Sequence, residues 1–499
     1  MTNGQGGHPL DRRILLGATT AALLGVPNIS SAQQKSPEPV AAKGNVVIPN
    51  AVNPSRIIAD FVTGFDLQHA PPLVIDRARV AFVDTVGVML AGSQLPPADI
   101  VCDVIKSEGS APTATIVGRS LRAAPRLAAL ANGVSDHTMD FDLTYMAGQS
   151  IAAVIPAILP VAETNANTAE EMLAAFIIAA EVAGRIYRAA PKAWRNTGWH
   201  STGVVGSTAA ALACARLMKI PVDKIPDVVG ITASMASGIT ANFGTMTKPL
   251  HSGHAAQNGV LAAMLAVRGF TAAHFALESG TGYFEDFLHG FEWSADPFGT
   301  LGKNFDLAEI GYSIKPYPSG GLGHTAIDAA LEMREIVKPD NIAHIDVAIT
   351  KFALRRITDR YPQTVEAAKF SAPYLAAYTL IHGAPMLDAF RDEALHDEAV
   401  RAAAHKVSVS IYQEYADLLE ESPAKVTVTL NDGRQIERSR FYPTGSQRAP
   451  MTRAQIKAKF DICATQAIDK PTSEKIYTML STLGEQPSLA DFWPLVGKA

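Results

Sequence analysis

Cysteine is scarce in this chain: Cys102, Cys214 and Cys463 are the only three among 499 residues. The number is odd and no two stand in a CxxC pair, so a disulfide framework and the usual zinc, redox and iron–sulfur spacings are absent. All three are expected to be buried small apolar residues. An excess of positive charge is also lacking. With 43 Lys and Arg against 48 Asp and Glu, the net charge is −5, and a nucleic-acid partner is not expected. There is no HExxH, no P-loop and no GxGxxG, so neither a metal nor a cofactor is called for. The long apolar stretch MLAAFIIAAEVAGRIY (172–187) is broken by Glu181 and Arg185 before about 18 apolar residues accumulate, which argues against a membrane span.

What is present is enough apolar sequence, 47%, to build the cores of two domains. The first 50 residues read differently. Arg12 and Arg13 precede ILLGATTAALLGV and then Ser30-Ser31-Ala32, the pattern of a twin-arginine export signal cut near Ala32. A periplasmic address and a tether to about residue 50 are therefore expected.

From Pro72 to about Arg268 the apolar period is helical, and Val74–Gly92 carries one stripe through Ala78, Phe82, Thr85, Val86 and Met89. Thr168 and Glu171 form a capping box for the apolar helix that follows, on which Glu181 and Arg185 are spaced to pair. After Lys315 the period becomes two. Strands are expected at 344–352, 406–412 and 425–441, the last turning at Asn431-Asp432-Gly433, with helices at about 323–337, 372–383 and 394–405 between them. The expected architecture is mainly α: a large helical bundle over 51–310, a smaller α+β lid over 311–443, and helices in 444–499 that return to the bundle.

The segment TKPLHSGHAAQNG (247–259) sets Lys248, His251 and His254 three residues apart among small residues. On a helix they share a side, which suits an anionic ligand; a capped helix start with ordinary histidines explains the same pattern equally well. Five further segments complete a set: VAFVDTVGVMLAG (80–92), ANGVSDHTMDFDLT (131–144), GWHSTGVVGSTAAA (198–211), IKPYPSGGLGHTAID (314–328) and EAAKFSAPYLAAY (366–378). In this order and spacing, the set resembles the MmgE/PrpD family, which includes 2-methylcitrate dehydratase, cis-aconitate decarboxylase and iminodisuccinate epimerase.

The resemblance implies a helical domain with an α+β lid, a site in the cleft between them, and a homodimer. It also implies roles for individual residues. His200, Lys248, Tyr374 and Asp140 would be catalytic, with Thr144, Lys315, His251 and His324 binding the substrate, a small polycarboxylate. The chemistry is coherent on its own terms, because several carboxylates need fixed cations and a proton beside a carboxylate needs a tuned base. His200 is the first candidate for that base, and Tyr374 for handling a leaving hydroxyl.

Two departures bear on the reaction. Ser150-Ile151 stand where the family has a His-Pro pair, and Gly320 stands where decarboxylase-like members place a histidine. An imidazole from elsewhere, such as His137, His251 or His324, would have to fill the first gap. The expected function is a cofactor-independent lyase, 2-methylcitrate dehydratase-like. The alternatives are an epimerase, a cis-aconitate decarboxylase-like enzyme, and an exported di- or tricarboxylate-binding protein that has lost catalysis.

Overall fold

The computed structural model describes residues 52–497 except 147, 420 and 487. The expected export signal at Arg12-Arg13 and the tether after it lie outside the described residues. Among the described residues, no helix is long and apolar enough to cross a membrane.

A helical domain is built around α1 (Pro72–Gly92), α2 (Pro125–His137), α3 (Val154–Asn165), α4 (Ala169–Ala189), α5 (Ser201–Leu217) and α6 (Thr247–Ala266). Pro72 and Pro125 open their helices, where a missing N–H costs nothing and φ is already helical. Helix α4 has its capping box: Thr168 Oγ1 accepts from Glu171 N at 3.2 Å and Glu171 Oε2 accepts from Thr168 N at 3.0 Å. Apolar on nearly every side, α4 lies inside the bundle. Its Glu181 carboxylate accepts the N–H groups of Asp306 and Leu307 at 2.8 and 2.9 Å, and Arg185 Nη2 donates to Asn304 O at 2.6 Å. Glu181 and Arg185 themselves are 3.6 Å apart. The pair pins the segment after the bundle to its core, a structural task.

The smaller α+β domain carries a mixed sheet of β1 (Ile342–Ile349), β2 (Val407–Ile411), β3 (Ala424–Leu430) and β4 (Gln435–Arg440), in the order β2-β1-β3-β4. Strands β1 and β2 are parallel, and the other neighbours are antiparallel. In β3 the sequence AKVTVTL buries every second residue, so one side faces the core. The helices α7 (His324–Met333) and α8 (Ala372–His382) contact the sheet and each other. The helix expected over 394–405 is two pieces, Asp392–Leu395 and Glu398–Ala404, because Asp397 caps the second by accepting from Val400 N at 3.0 Å.

After the sheet, α9 (Arg453–Ala464) and α10 (Lys470–Ser481) pack on α1. Buried Lys459 ties α9 to the rest: its Nζ lies 2.6 Å from Asp84 Oδ1 on α1 and donates to Phe141 O at 2.7 Å.

One close approach positions the site. A Cβ on Gly133 of α2 would lie 2.7 Å from Gly253 Cα on α6, and a Cβ on Gly253 would lie 2.5 Å from Leu130 O. Two glycines at this crossing let α6 carry Lys248 and His251 against His137, the last residue of α2. Gly253→Ala is therefore expected to cost about 1–3 kcal/mol through overpacking, with a lower melting temperature and, because Lys248 moves, a weaker affinity for anionic ligands. Wild-type melting and affinity would contradict this.

Candidate active site

The chain leaves α2 at His137 and bends at Asp140, whose φ of +52° is left-handed. Such a conformation is uncommon outside glycine and is tolerated best by Asp and Asn. The bend turns the Asp140 carboxylate inward, where Oδ1 accepts from Lys248 Nζ at 3.0 Å, Lys315 Nζ at 2.6 Å and Gln149 Nε2 at 2.6 Å. Lys315 also donates to Asp140 O at 2.9 Å and Ser319 O at 3.1 Å. Lys248 comes from the first turn of α6, Lys315 from the start of the α+β domain. Two ammonium groups on one carboxylate leave an excess positive charge in a buried place.

Burial works to raise the Asp140 carboxyl, but Lys248 and Lys315 beside it hold it far below the ordinary carboxylate range. Burial lowers Lys248 against the pull of Asp140. Lys369, which donates to Thr138 O at 2.9 Å, is pushed down to about 8, mainly by burial.

Imidazoles surround these cations. His137 Nδ1 lies 3.0 Å from Asp142 Oδ1, and its Nε2 lies 2.9 Å from Lys248 Nζ. With Nδ1–H given to Asp142, Nε2 accepts from the ammonium. His200, at the N-cap of α5, stacks on His137 at 5.5 Å and makes a T-shaped contact with Phe243 at 4.8 Å, both between ring centroids. Its Nδ1 lies 3.0 Å from His251 Nδ1. Burial first and then the Lys248 charge hold His200 well below 6.5, and burial takes His251 to about 4 and His324 to about 3. All are neutral at pH 7. When His200 donates Nδ1–H to His251, its Nε2 presents a lone pair.

These groups form one wall of a cavity of about 740 Å³ between the two domains. Asp140, Thr144, His200, Lys248, Lys315 and His324 all line it. Thr144 is held there by a two-way backbone bridge to Ser313, 2.8 Å in each direction. His251, expected to bind the substrate, does not line the cavity and contacts the lining residue His200. Tyr374 corrects the sequence reading. Fully buried, it donates its hydroxyl to Ala389 O and packs with Tyr361, Tyr378 and Phe390 in the core of the α+β domain. It does not line the cavity, and burial pushes its hydroxyl pKa up. His254, the third member of the α6 series, turns instead to Ser237 Oγ at 3.3 Å.

The two departures have structural counterparts. Ser150 Oγ donates to Tyr145 O at 3.0 Å, so this buried serine secures a loop. Gly320 stands against Phe370: a Cβ there would lie 2.9 Å from Phe370 Cδ1 and 3.2 Å from Ile357 Cδ1. A histidine at 320 has no room in this arrangement.

Sequence reasoning missed Gln149, Lys369 and the link from Asp142 through His137 to Lys248. It also missed Arg195 and Arg356, which line the same cavity. A metal was not expected, yet His137, Asp140 and Asp142 bring ligand atoms within 4.8 Å of one another. Lys248 and Lys315 already bond to two of these residues, so the donor set is that of a charge-paired cluster and fits a dication poorly.

Residues 56–296 match the MmgE/PrpD N-terminal domain, and residues 317–484 match the MmgE/PrpD C-terminal domain. The chain belongs to the MmgE/PrpD family. Its relatives include cis-aconitate decarboxylase of Mus musculus, 26% identical over 441 residues that cover 85% of this chain and 89% of the relative. Cis-aconitate decarboxylase of Aspergillus terreus is 25% identical over 469 residues, covering 88% and 94%. A cis-aconitate decarboxylase-like protein of Aspergillus oryzae is 25% identical over 472 residues, covering 89% and 97%. At the level of the family, these relations support a lyase-like function.

The electrostatics carry a pH expectation. Four buried histidines, His137, His200, His251 and His324, have lowered pKa values in the folded state. The unfolded chain therefore binds more protons once the pH drops below 6.5, and stability present above that value is lost as pH falls toward 4. Calorimetric melting should fall across this range in wild type and fall less in His200→Gln. Equal slopes would contradict the burial of a neutral His200.

Proposed function

We propose that this protein is a cofactor-independent lyase acting on a small polycarboxylate, by elimination of a β-hydroxyl from a 2-methylcitrate-like acid. The observation that carries this reading is the convergence of Lys248 and Lys315 on Asp140 beside a neutral His200. The excess positive charge of that cluster receives a substrate carboxylate. His200 Nε2 takes the proton from the carbon next to it, and the cations hold the enediolate that develops. The C–O bond then breaks, the departing hydroxyl takes a proton from the Lys248 ammonium and leaves as water, and a carbon–carbon double bond remains. Solvent resets the imidazolium and the amine.

Decarboxylation is the second reading, favoured by the names of the relatives at 24–26% identity. Against it stands Gly320, where even an added Cβ would crowd Phe370. A panel of 2-methylcitrate, citrate and cis-aconitate separates the two. We expect ultraviolet absorbance of an unsaturated acid to grow from a hydroxy acid without release of CO2. Release of CO2 from cis-aconitate would favour the second reading, and no turnover on any acid, with binding intact, would leave a binding protein.

A further inference from the structure

The cavity extends well past the lysine cluster, and its outer part carries charge that the reaction above does not use. Arg356 Cζ sits 5.1 Å from the Phe352 ring centroid and 5.7 Å from that of Phe243. Arg195 Cζ sits 5.4 Å from the same Phe352 ring. Arg195 gives Nε to Tyr187 Oη at 3.0 Å and Nη1 to Leu419 O, and Arg356 gives Nη2 to Arg195 O at 3.3 Å. The carboxylates Glu309 and Glu421 line the same cavity. A guanidinium has five N–H donors, and Arg356, which lines the cavity, gives one of them to Arg195 O. Burial and then the like charges of Arg355 and Arg195 lower its pKa. An arriving anion would relieve that crowding.

Phe243 relates this region to the reacting end. Its ring centroid lies 5.5 Å from Lys248 Nζ as well as 5.7 Å from Arg356 Cζ, and the ring makes a T-shaped contact with His200. The two charges therefore stand no more than the sum of those distances apart, about 11 Å. One polycarboxylate can touch both. We propose that Arg195 and Arg356 form a second anion-binding pole that takes the distal carboxylate of the substrate, while Lys248 and Lys315 hold the carboxylate next to the reacting carbon. The Phe243 ring packs against the carbon chain between them. This rests on the lyase reading for the inner carboxylate and adds the residues that would tell a tricarboxylate of citrate size from a dicarboxylate of succinate size. A cavity of about 740 Å³ is in the range that encloses drug-sized ligands and is ample for a succinate-sized one.

Titration calorimetry with propane-1,2,3-tricarboxylate, succinate and inorganic phosphate tests this on the full chain. Arg356→Gln is expected to weaken the tricarboxylate Kd by about tenfold or more, the usual scale for a lost charge-assisted bond, while succinate changes less than about twofold. Arg195→Gln should act in the same direction, and Arg356→Lys should restore part of the affinity. If Arg356→Gln fails to fold, as judged by its melting curve, Arg195→Gln and Arg356→Lys carry the comparison. Equal loss for tricarboxylate and succinate, or loss for neither, overturns the second pole. So does loss of phosphate binding alone. Lys248→Ala reports separately: if it leaves the affinity for both acids unchanged, the inner site fails, whereas if it weakens both and the arginine variants do nothing, only the outer pole fails.

Discussion

Asp140→Ala is expected to cost about 3–5 kcal/mol of stability, the usual scale for breaking a buried ion pair by removing one partner. The substitution leaves the ammonium groups of Lys248 and Lys315 facing each other at 4% and 2% exposure with their shared acceptor gone. Each then keeps its charge against repulsion and burial, or loses a proton. Asp140→Asn should cost less, since an amide oxygen can still accept both bonds. Denaturant unfolding measures both, and wild-type stability in Asp140→Ala would show that the lysines do not depend on it. The linkage has a definite sign. The folded-state pKa of Asp140 is depressed, so its contribution is complete above the unfolded value of about 3.9 and is lost as the pH falls below it. A ligand adds a second readout: if a substrate carboxylate meets the same ammonium groups, a tricarboxylate should raise the melting temperature of Asp140→Ala by more than that of wild type.

His200→Gln is expected to lower kcat by about 10²–10⁴, the range attributed to a positioned acid or base, with the Kd for a tricarboxylate changed only a few-fold. The cations that bind the anion, Lys248 and Lys315, are untouched by this change, and a glutamine amide keeps a polar group at the N-cap of α5. Because burial and Lys248 hold the imidazole well below 6.5, the acidic limb of the wild-type kcat/KM profile should lie below that pH. Activity needs the neutral ring, so it falls as protonation sets in at lower pH. An acidic limb at or above 6.5, or a His200→Gln variant with wild-type kcat, would assign the proton transfer to another group.

Much of the architecture was legible because period follows from burial. The alternation in AKVTVTL is that of a strand with one side in the core, and the apolar series of Val74–Gly92 is that of a helix in a bundle. Ends were less so. The helix expected to reach 337 stops at Met333, and Asp397 restarts one where a continuous helix was expected. In the site, the segments around Asp140, His200, Lys248 and Lys315 came together because each carries its functional group on a fixed helix end or turn. Tyr374 misled because a tyrosine hydroxyl that satisfies a buried carbonyl looks, in sequence, like one that meets a substrate.

The pairing of His137 with Asp142 spans a left-handed turn at Asp140, which no helical or strand period announces. Arg195 and Arg356 meet across 161 positions of chain through one hydrogen bond and a shared ring, a juxtaposition that only the fold creates. Gly320 was visible as a departure, but its meaning depends on Phe370, which is distant in sequence.

In the proposed reaction His200 removes a proton from carbon while Lys248 and Lys315 hold the neighbouring carboxylate. Proton NMR in deuterated buffer tests it most directly, with 2-methylcitrate or citrate as substrate and His200→Gln as the comparison. Wild type is expected to place solvent deuterium beside a carboxylate of the returned acid or to form an unsaturated product, seen as a vinyl proton from citrate or a vinylic methyl signal from 2-methylcitrate, and His200→Gln to do neither while still binding the acid. Deuterium incorporation or elimination that persists unchanged in His200→Gln, or the absence of both in a wild type that binds the acid, would contradict it.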